Sequence, residues 1–150
     1  MKILDETILI PQLSIDCVIF GYNESELKVL VTKLKFKKII YSLPGGFIAQ
    51  YESIDQAAKR ILEERTSIGD IYLEQYRVFG EENRINHDLV DNVSTLVNED
   101  SIGLEFDDSE INWLKKRFIS IGYYALVDIN KVHPKKGEFD DAVEWHNIKD

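Results

Sequence analysis

Residues 43–68 constrain the fold of this chain more than any other part of the sequence. Pro44 lacks a backbone N–H donor and disfavours helix in the residue before it, and the two glycines that follow it allow a tight turn or a close approach to a ligand. Ser53 and Gln56 then have the spacing of a helical capping box, and the apolar residues after them recur at helical intervals. The sequence therefore predicts a glycine loop that leads into an α-helix at Ile54–Thr66.

The rest of the chain predicts a mixed α/β domain. Runs rich in Ile, Val, Leu and aromatic residues predict strands at 13–21, 27–34, 72–79, 118–127 and 142–148. The polar turn at 22–26 predicts that the first two strands form a hairpin. A chain of 150 residues is the size of one ordinary domain. We therefore expect residues 1–150 to form a single domain in which strands and a helix alternate.

The spacing of residues within 46–68 carries the functional information. From Gly46 the chain runs five residues to Glu52, seven more to Arg60, and then reads Ile-Leu-Glu-Glu-Arg-Thr-Ser-Ile. This resembles the Nudix box, G-x5-E-x7-R-E-U-x-E-E-x-G-U, in which U is a bulky aliphatic residue. Six positions match: Gly46, Glu52, Arg60, Leu62, Glu64 and Ile68. The resemblance implies the Nudix fold, an α/β/α sandwich.

Three departures from the box bear on activity. In active Nudix proteins the carboxylates of the box hold Mg²⁺, a hard ion that prefers oxygen ligands, against a diphosphate. Here Ile61 and Arg65 stand at two of those positions and Ser67 replaces a glycine, so that Glu64 is the only remnant catalytic residue and a weak metal ligand. The resemblance thus implies an impaired hydrolase that requires no cofactor, with Mg²⁺ needed only if hydrolysis is retained. The retained Glu52 is expected to pair with Arg60.

A narrower resemblance covers most of the chain. Residues 16–21, 42–47, 57–62, 72–75 and 79–80 are similar to the Nudix domains of bacterial Nudix-type transcriptional regulators, which resemble ADP-ribose pyrophosphatases. That resemblance implies a homodimeric sensor of ADP-ribose or a sugar, joined to a C-terminal winged-helix domain that binds DNA. Residues 144–150 resemble the last Nudix strand, and we expect the chain to end before a C-terminal helix and a possible winged-helix domain.

The same resemblance suggests ligand-binding residues. The regulators have two arginines after the strand that corresponds to 72–79, and these correspond to Arg84 and Arg117. Guanidinium groups suit phosphate, although ion pairs with neighbouring acids would explain both equally well. Gly45 and Gly46 are expected to lie against the ligand. Phe79 is a candidate for stacking on a base or ribose, as is Tyr123, with core packing as the alternative role for both rings.

Charge is concentrated in one segment. The chain has 27 acidic and 18 basic residues, and eight of the acids lie between 88 and 114, where there is no base. Apolar residues within this segment share one helical face, so we expect a helical acidic insertion at about 88–115, between Arg84 and Arg117. Nine net negative charges argue against nucleic-acid binding by this chain itself. No apolar run is long enough for a membrane span, and the single cysteine fits a reducing cytoplasm.

Three functions fit these observations. The first is a ligand sensor within a regulator. The second is a metal-dependent Nudix hydrolase of nucleoside diphosphate derivatives such as ADP-ribose, which uses Glu64 and acids outside the motif. The third is an interaction module whose acidic insertion is the partner surface.

Overall fold

The fold is taken from a computed structural model that describes residues 5–34, 39–82, 112–113, 115–137 and 140–149. The candidate ligand residue Arg84 and all but the last residues of the expected acidic insertion lie outside the described residues.

The described strands and α-helix follow the order expected from the sequence, with two additional strands. They are β1 (Leu9–Tyr22), β2 (Leu27–Leu34), β3 (Tyr41–Ser42), β4 (Gly45–Ala49), α1 (Ile54–Thr66), β5 (Leu73–Phe79), β6 (Ile119–Asp128) and β7 (Asp140–Asn147). The predicted helix and the five predicted strands are confirmed, the helix with the predicted bounds. The short strands β3 and β4 were not predicted. The two glycines expected to form a turn are instead the first residues of β4.

The strands form one mixed sheet. β1 is central: one edge pairs in parallel with β6, and the other pairs antiparallel with β4 and then with β2, as the expected hairpin. β5 lies antiparallel beside β6, and β7 lies antiparallel beside β2. The register places β4, β1, β6 and β5 side by side at one end of the sheet, because Ser14 pairs with both Phe47 and Ser120, and Ser120 pairs with Phe79.

Helix α1 covers one face of this sheet. Its buried residues, Ala57, Ala58, Ile61, Leu62 and Thr66, form one stripe, as the helical spacing predicts. They pack with Ile15 and Ile121, on the sheet face towards α1, in the hydrophobic core. Ile54, by contrast, is exposed at the first turn. Among the described residues, no helix is long and apolar enough to span a bilayer.

The N-terminus of α1 is capped by side chains, whereas its last carbonyls accept from the backbone N–H groups of Ser67, His133 and Lys135. The Ser53 hydroxyl accepts a hydrogen bond from the Gln56 N–H, and the Gln56 side chain accepts one from the Ser53 N–H, which confirms the capping box. Ser67 ends the helix with φ 65°, the left-handed conformation for which glycine is usual at this position. The Ser67 hydroxyl donates to the His133 carbonyl at 3.1 Å, so the turn forms although the glycine of the motif is absent.

Candidate functional site

Glu52 and Arg60 form a brace between strand β4 and helix α1. Arg60 Nη2 donates to Glu52 Oε1 at 2.7 Å and Arg60 Nε donates to Glu52 Oε2 at 3.1 Å, a bidentate pair. Glu52 Oε1 also accepts the Ala49 N–H at 2.8 Å, and Arg60 Nη2 donates to the Phe47 carbonyl at 2.7 Å. The expected pairing is confirmed, and Glu52 is thereby engaged in holding the loop between β4 and α1.

The pKa of Glu52 lies below its usual range. The hydrogen bonds from Arg60 are the main cause, and the Ala49 N–H adds to them, while partial burial of the carboxylate opposes them. Glu52 is therefore ionised at neutral pH, as the brace requires.

Glu64 is the remaining carboxylate of the motif. It lies one turn after Arg60 on α1, its side chain is 59% exposed, and its oxygens lie 3.4 Å from Arg60 Nη1. A pair with this exposure adds little to stability. The residue is therefore open to solvent and held only loosely by its neighbour.

The two substituted positions of the motif supply no metal ligand. Ile61 is 1% exposed and packs in the core, and its side chain lies against Gly46, where an added Cβ would be 3.0 Å from it. Arg65 places a guanidinium at the other position, where it forms a buried ion pair with Asp140. Among the described residues, no three His, Cys, Asp or Glu side chains come together as metal ligands. The residues present do not fit a Mg²⁺ site of the type that the motif implies.

Gly45 and Gly46 both lie where a neighbouring element approaches the backbone of β4 closely. A Cβ at Gly45 would clash with the Ile15 carbonyl and approach Asp16 Oδ1, because β4 lies tightly against β1 here. At Gly46 the restriction comes from helix α1, through Ile61. The described close contacts of both glycines are with a strand and a helix, and their expected contact with a ligand stays a prediction.

One row of residues crosses the sheet at the end that carries β4. Phe47, Ser14, Ser120 and Phe79 are register partners on four adjacent strands and share the face opposite α1. Three strand spacings, about 14 Å, separate the first from the last. Ser14 Oγ and Ser120 Oγ are hydrogen-bonded at 2.8 Å in the middle of the row. The topology thus brings β4 and the end of β5 to one face of the sheet.

Arg117 lies at the end of this row. Its Nη2 donates to the carbonyl of Gly80, the residue after Phe79, and the side chain is otherwise exposed. The Phe79 ring lies beneath the guanidinium of Arg77, 5.0 Å from the ring centroid, and contacts the edge of the Tyr76 ring. The structure therefore places the two candidate ligand residues Arg117 and Phe79 together, whereas Arg84 lies outside the described residues.

Tyr123 is a residue of the hydrophobic core. It is 2% exposed within the core, and its hydroxyl donates to Asp55 at 2.6 Å. Burial, and then the bond to Asp55, raise the pKa of the phenol well above its usual value. The stacking role considered for Tyr123 is wrong because its ring is enclosed beneath helix α1.

An aromatic cluster beside β4 was not predicted. Trp113 is 3% exposed and meets Phe47 and Phe118 edge to face, with ring centroids 4.8 and 5.5 Å away. Its carbonyl accepts from Gln12, which has φ 58° at an irregularity in β1. The indole Nε1 has no partner within the described ranges. The sequence offered little signal for this cluster, since Trp113 belongs to the expected insertion and Phe47 to the expected loop.

The partner of Arg65 was also missed. The substitution in the motif marks Arg65 as unusual, but Asp140 is 75 residues away and stands in a loop-to-strand region of mixed charge. The available signal was an arginine on the inner side of an amphipathic helix, which requires a buried acceptor.

Comparison with solved structures agrees with the fold of this chain. No family model matches the chain, and no curated protein matches it. The NUDIX domain of Shewanella oneidensis NrtR, complexed with ADP ribose, is 22% identical with a TM-score of 0.61, over 98% of this chain and 80% of that chain. A MutT/nudix family protein from Enterococcus faecalis is 22% identical with a TM-score of 0.60, over 91% of this chain and 44% of that one. Shewanella oneidensis NrtR complexed with a 27mer DNA is 24% identical with a TM-score of 0.60, over 92% and 52% of the two chains. The chain therefore spans about half the length of two of these three proteins.

Proposed function

We propose that this chain, which has the Nudix fold, is a ligand-sensing domain that binds an ADP-ribose-like nucleotide or a sugar and forms part of a homodimeric transcriptional regulator. The observation that carries the proposal is the state of the motif on α1. Its brace, Glu52 with Arg60, is intact, while Ile61 is buried in the core and Arg65 is paired with Asp140. A fold that keeps the scaffold and loses two carboxylates is suited to binding without turnover.

The ligand surface is proposed to lie at the Phe79 end of the row of Phe47, Ser14, Ser120 and Phe79, because Ser120 is 3% exposed and Trp113 packs on Phe47. Arg117 and Arg77 are both described cations at this end, and Arg117 is exposed apart from its bond to Gly80. An arginine of this kind can hold a phosphate bidentately, and an aromatic ring next to it can carry a base or ribose. Arg84 is proposed to add a further cation. The ADP ribose bound to the NrtR domain, which shares this fold, supports the choice of ligand class.

Calorimetric titration with ADP-ribose, related nucleotides and pentoses tests the proposal. We expect one of them to bind, and Arg117→Ala to weaken binding at least tenfold, which is about 1.4 kcal/mol. Lys116→Ala is the matched control, since it removes a neighbouring exposed charge that the proposed site does not use. If none of these compounds binds, the sensor function is refuted.

The role within a regulator is a separate part of the proposal. NrtR, whose solved structure contains a 27mer DNA, shares the fold with this chain over about half of its own length. We propose that a winged-helix domain accompanies this chain and that ligand binding shifts the arrangement of a homodimer. Sedimentation with and without the bound ligand tests the second step, and identical sedimentation of a monomer in both states would contradict it.

A hydrolase is the second candidate, because Glu64 is retained and open to solvent. A hydrolase requires turnover of ADP-ribose with Mg²⁺ or Mn²⁺ that Glu64→Gln abolishes. We expect no such turnover, since one exposed carboxylate is a poor ligand set for either ion.

A further inference from the structure

Arg65 stands where the motif has its last carboxylate, and its guanidinium is held there by an ion pair with Asp140. Arg65 Nη1 donates to Asp140 Oδ2, and Arg65 Nη2 donates to the Gly45 carbonyl at 2.9 Å. The Asp140 side chain is 3% exposed, and its Oδ2 also accepts the Gly137 N–H at 2.6 Å. The guanidinium therefore bridges helix α1, strand β4 and the start of β7.

The oxygens that Arg65 holds are of the kind that a hard cation takes. A backbone carbonyl and a carboxylate are typical ligands of divalent metal ions. A guanidinium is positively charged at any accessible pH and presents several N–H donors in a fixed plane. The Arg65 guanidinium thus binds two oxygens, the Gly45 carbonyl and an Asp140 carboxylate oxygen, that could otherwise bind a metal ion.

We infer that the Arg65 guanidinium takes the place of a divalent metal ion, so that this site excludes the metal. A second part of the inference rests on the proposed function: the domain binds its ligand without a metal ion. Ile61 completes the exclusion. Its side chain fills the space against Gly46 on the same face of α1, one turn before Arg65, and offers no oxygen.

The surroundings of Arg65 are built for a guanidinium. A Cβ at Gly137 would overlap the guanidinium atoms, so glycine at this position leaves the space that Arg65 occupies. The Lys135 N–H donates to the Arg65 carbonyl at 2.8 Å, and the His133 N–H donates to the Thr66 carbonyl at 3.1 Å. The loop before β7 therefore contacts both the last backbone carbonyls of α1 and the Arg65 side chain.

Manganese binding by the unmodified protein is the first test. Titration of Mn²⁺ followed by electron paramagnetic resonance reports the free ion directly and needs no turnover. We expect the signal of the free ion to be the same with and without protein. Binding of Mn²⁺ that Mg²⁺ displaces and that Glu64→Gln removes would overturn the inference.

Restoring the carboxylates is the second test. Ile61→Glu with Arg65→Glu places two carboxylates beside Asp140, Glu64 and the Gly45 carbonyl, and we expect this double variant to gain Mn²⁺ binding. Lys59→Glu is the matched control, because it places a carboxylate one turn before Glu63 on the exposed face of α1 and should gain none. A double variant that retains native circular dichroism but gains no Mn²⁺ binding would contradict the role given to Arg65.

The third test keeps the inference separate from the proposed function. For the unmodified protein and whichever nucleotide or pentose binds it, we expect the affinity to stay within twofold when EDTA replaces Mg²⁺. A tenfold loss in EDTA would overturn the inference. If no compound binds, the proposed function fails, whereas the Mn²⁺ titration of the same protein still decides the exclusion of metal. If the double variant does not fold, the Mn²⁺ titration of the unmodified protein still tests whether the site excludes the metal.

Discussion

At the scale of single residues, the brace between Glu52 and Arg60 links protonation to stability. Because the pKa of Glu52 is lower in the folded chain than its ordinary value of 4.5, folding favours the ionised form. The resulting stabilisation is complete above that ordinary value and is lost as the pH falls through the lower folded pKa.

Glu52→Gln should therefore lower the free energy of unfolding at neutral pH and flatten its decline in acid. Loss of charge-assisted hydrogen bonds to Arg60 is expected to cost about 1.5–3 kcal/mol at pH 7. Urea unfolding at pH 7 and in steps below 4.5 measures both effects. Glu63→Gln, on the exposed side of α1, is the control and should leave the pH profile unchanged. Equal acid sensitivity in Glu52→Gln and the unmodified protein would contradict the prediction.

Cys17 should be chemically silent while the protein is folded. It is fully buried on β1, and burial raises the pKa of its thiol to about 12, with the nearby Asp16 charge adding to the effect. The thiolate, which is the reactive form, is therefore both scarce and inaccessible at neutral pH. Labelling with iodoacetamide, followed by mass spectrometry, should be slow in buffer and fast in urea. Equal rates in the two solvents would show that Cys17 is accessible.

The sequence predicts single residues well where a spacing rule applies and poorly where the partner is distant. The capping box and the pairing of Glu52 with Arg60 are local, between residues three and eight positions apart, and both were predicted. The pairing of Arg65 with Asp140 depends on where the start of β7 meets the end of α1. No periodicity in the sequence encodes that meeting, so tertiary structure was needed to find it.

At the scale of elements, β4 shows why two glycines occur in a strand. Gly45 would ordinarily weaken a strand, since it packs no side chain. It is used here because β4 approaches the backbone of β1 at Ile15 too closely for a Cβ. Because β4 is short and begins with two glycines, the sequence predicts a turn there and not a strand. The apolar runs of β1, β2 and α1, by contrast, predict those elements correctly.

Gly45→Ala should destabilise the protein by about 1–3 kcal/mol through overpacking against β1. Gly80→Ala is the matched control, because a Cβ there would meet nothing within 4 Å. We expect the control to stay within about 0.5 kcal/mol of the unmodified protein, as exposed substitutions usually do. Chemical unfolding of both variants provides the comparison. If the two are equally stable, the close approach of β4 to β1 does not restrict position 45.

At the scale of the whole molecule, the sheet brings the two sides of the expected insertion together. Phe79 on β5 and Ser120 on β6 are register partners, so the chain leaves and re-enters the sheet at neighbouring points. The mixed α/β fold was predictable because each strand and the helix carry their own apolar pattern. The parallel pairing of β1 with β6 was not, since it joins segments about 100 residues apart.

Replacing residues 83–111 with a short Gly-Ser linker should leave the sheet and α1 intact. The linker has only to span neighbouring strands, while Trp113 and its aromatic partners are retained. Far-UV circular dichroism and thermal unfolding measure the outcome, with native spectra expected. Deletion of residues 133–137 is the control: although far shorter, it removes the bonds that hold the end of α1 and should unfold the protein. An insoluble linker variant would show that residues 83–111 are needed for the fold.

The parallel pairing of β1 with β6 also determines the order in which the strands can pair during synthesis. Ten consecutive residue pairs join the first long strand to one that begins at Ile119. During synthesis, β1 emerges from the ribosome well before this partner and can form only its hairpin with β2 and its pairing with β4. Because distant contacts require costly loop closure, folding of this chain is expected to be slow for its size. Until residues 119–128 have emerged from the ribosome, β1 has an unpaired edge, the kind of surface on which chaperones act and aggregation begins.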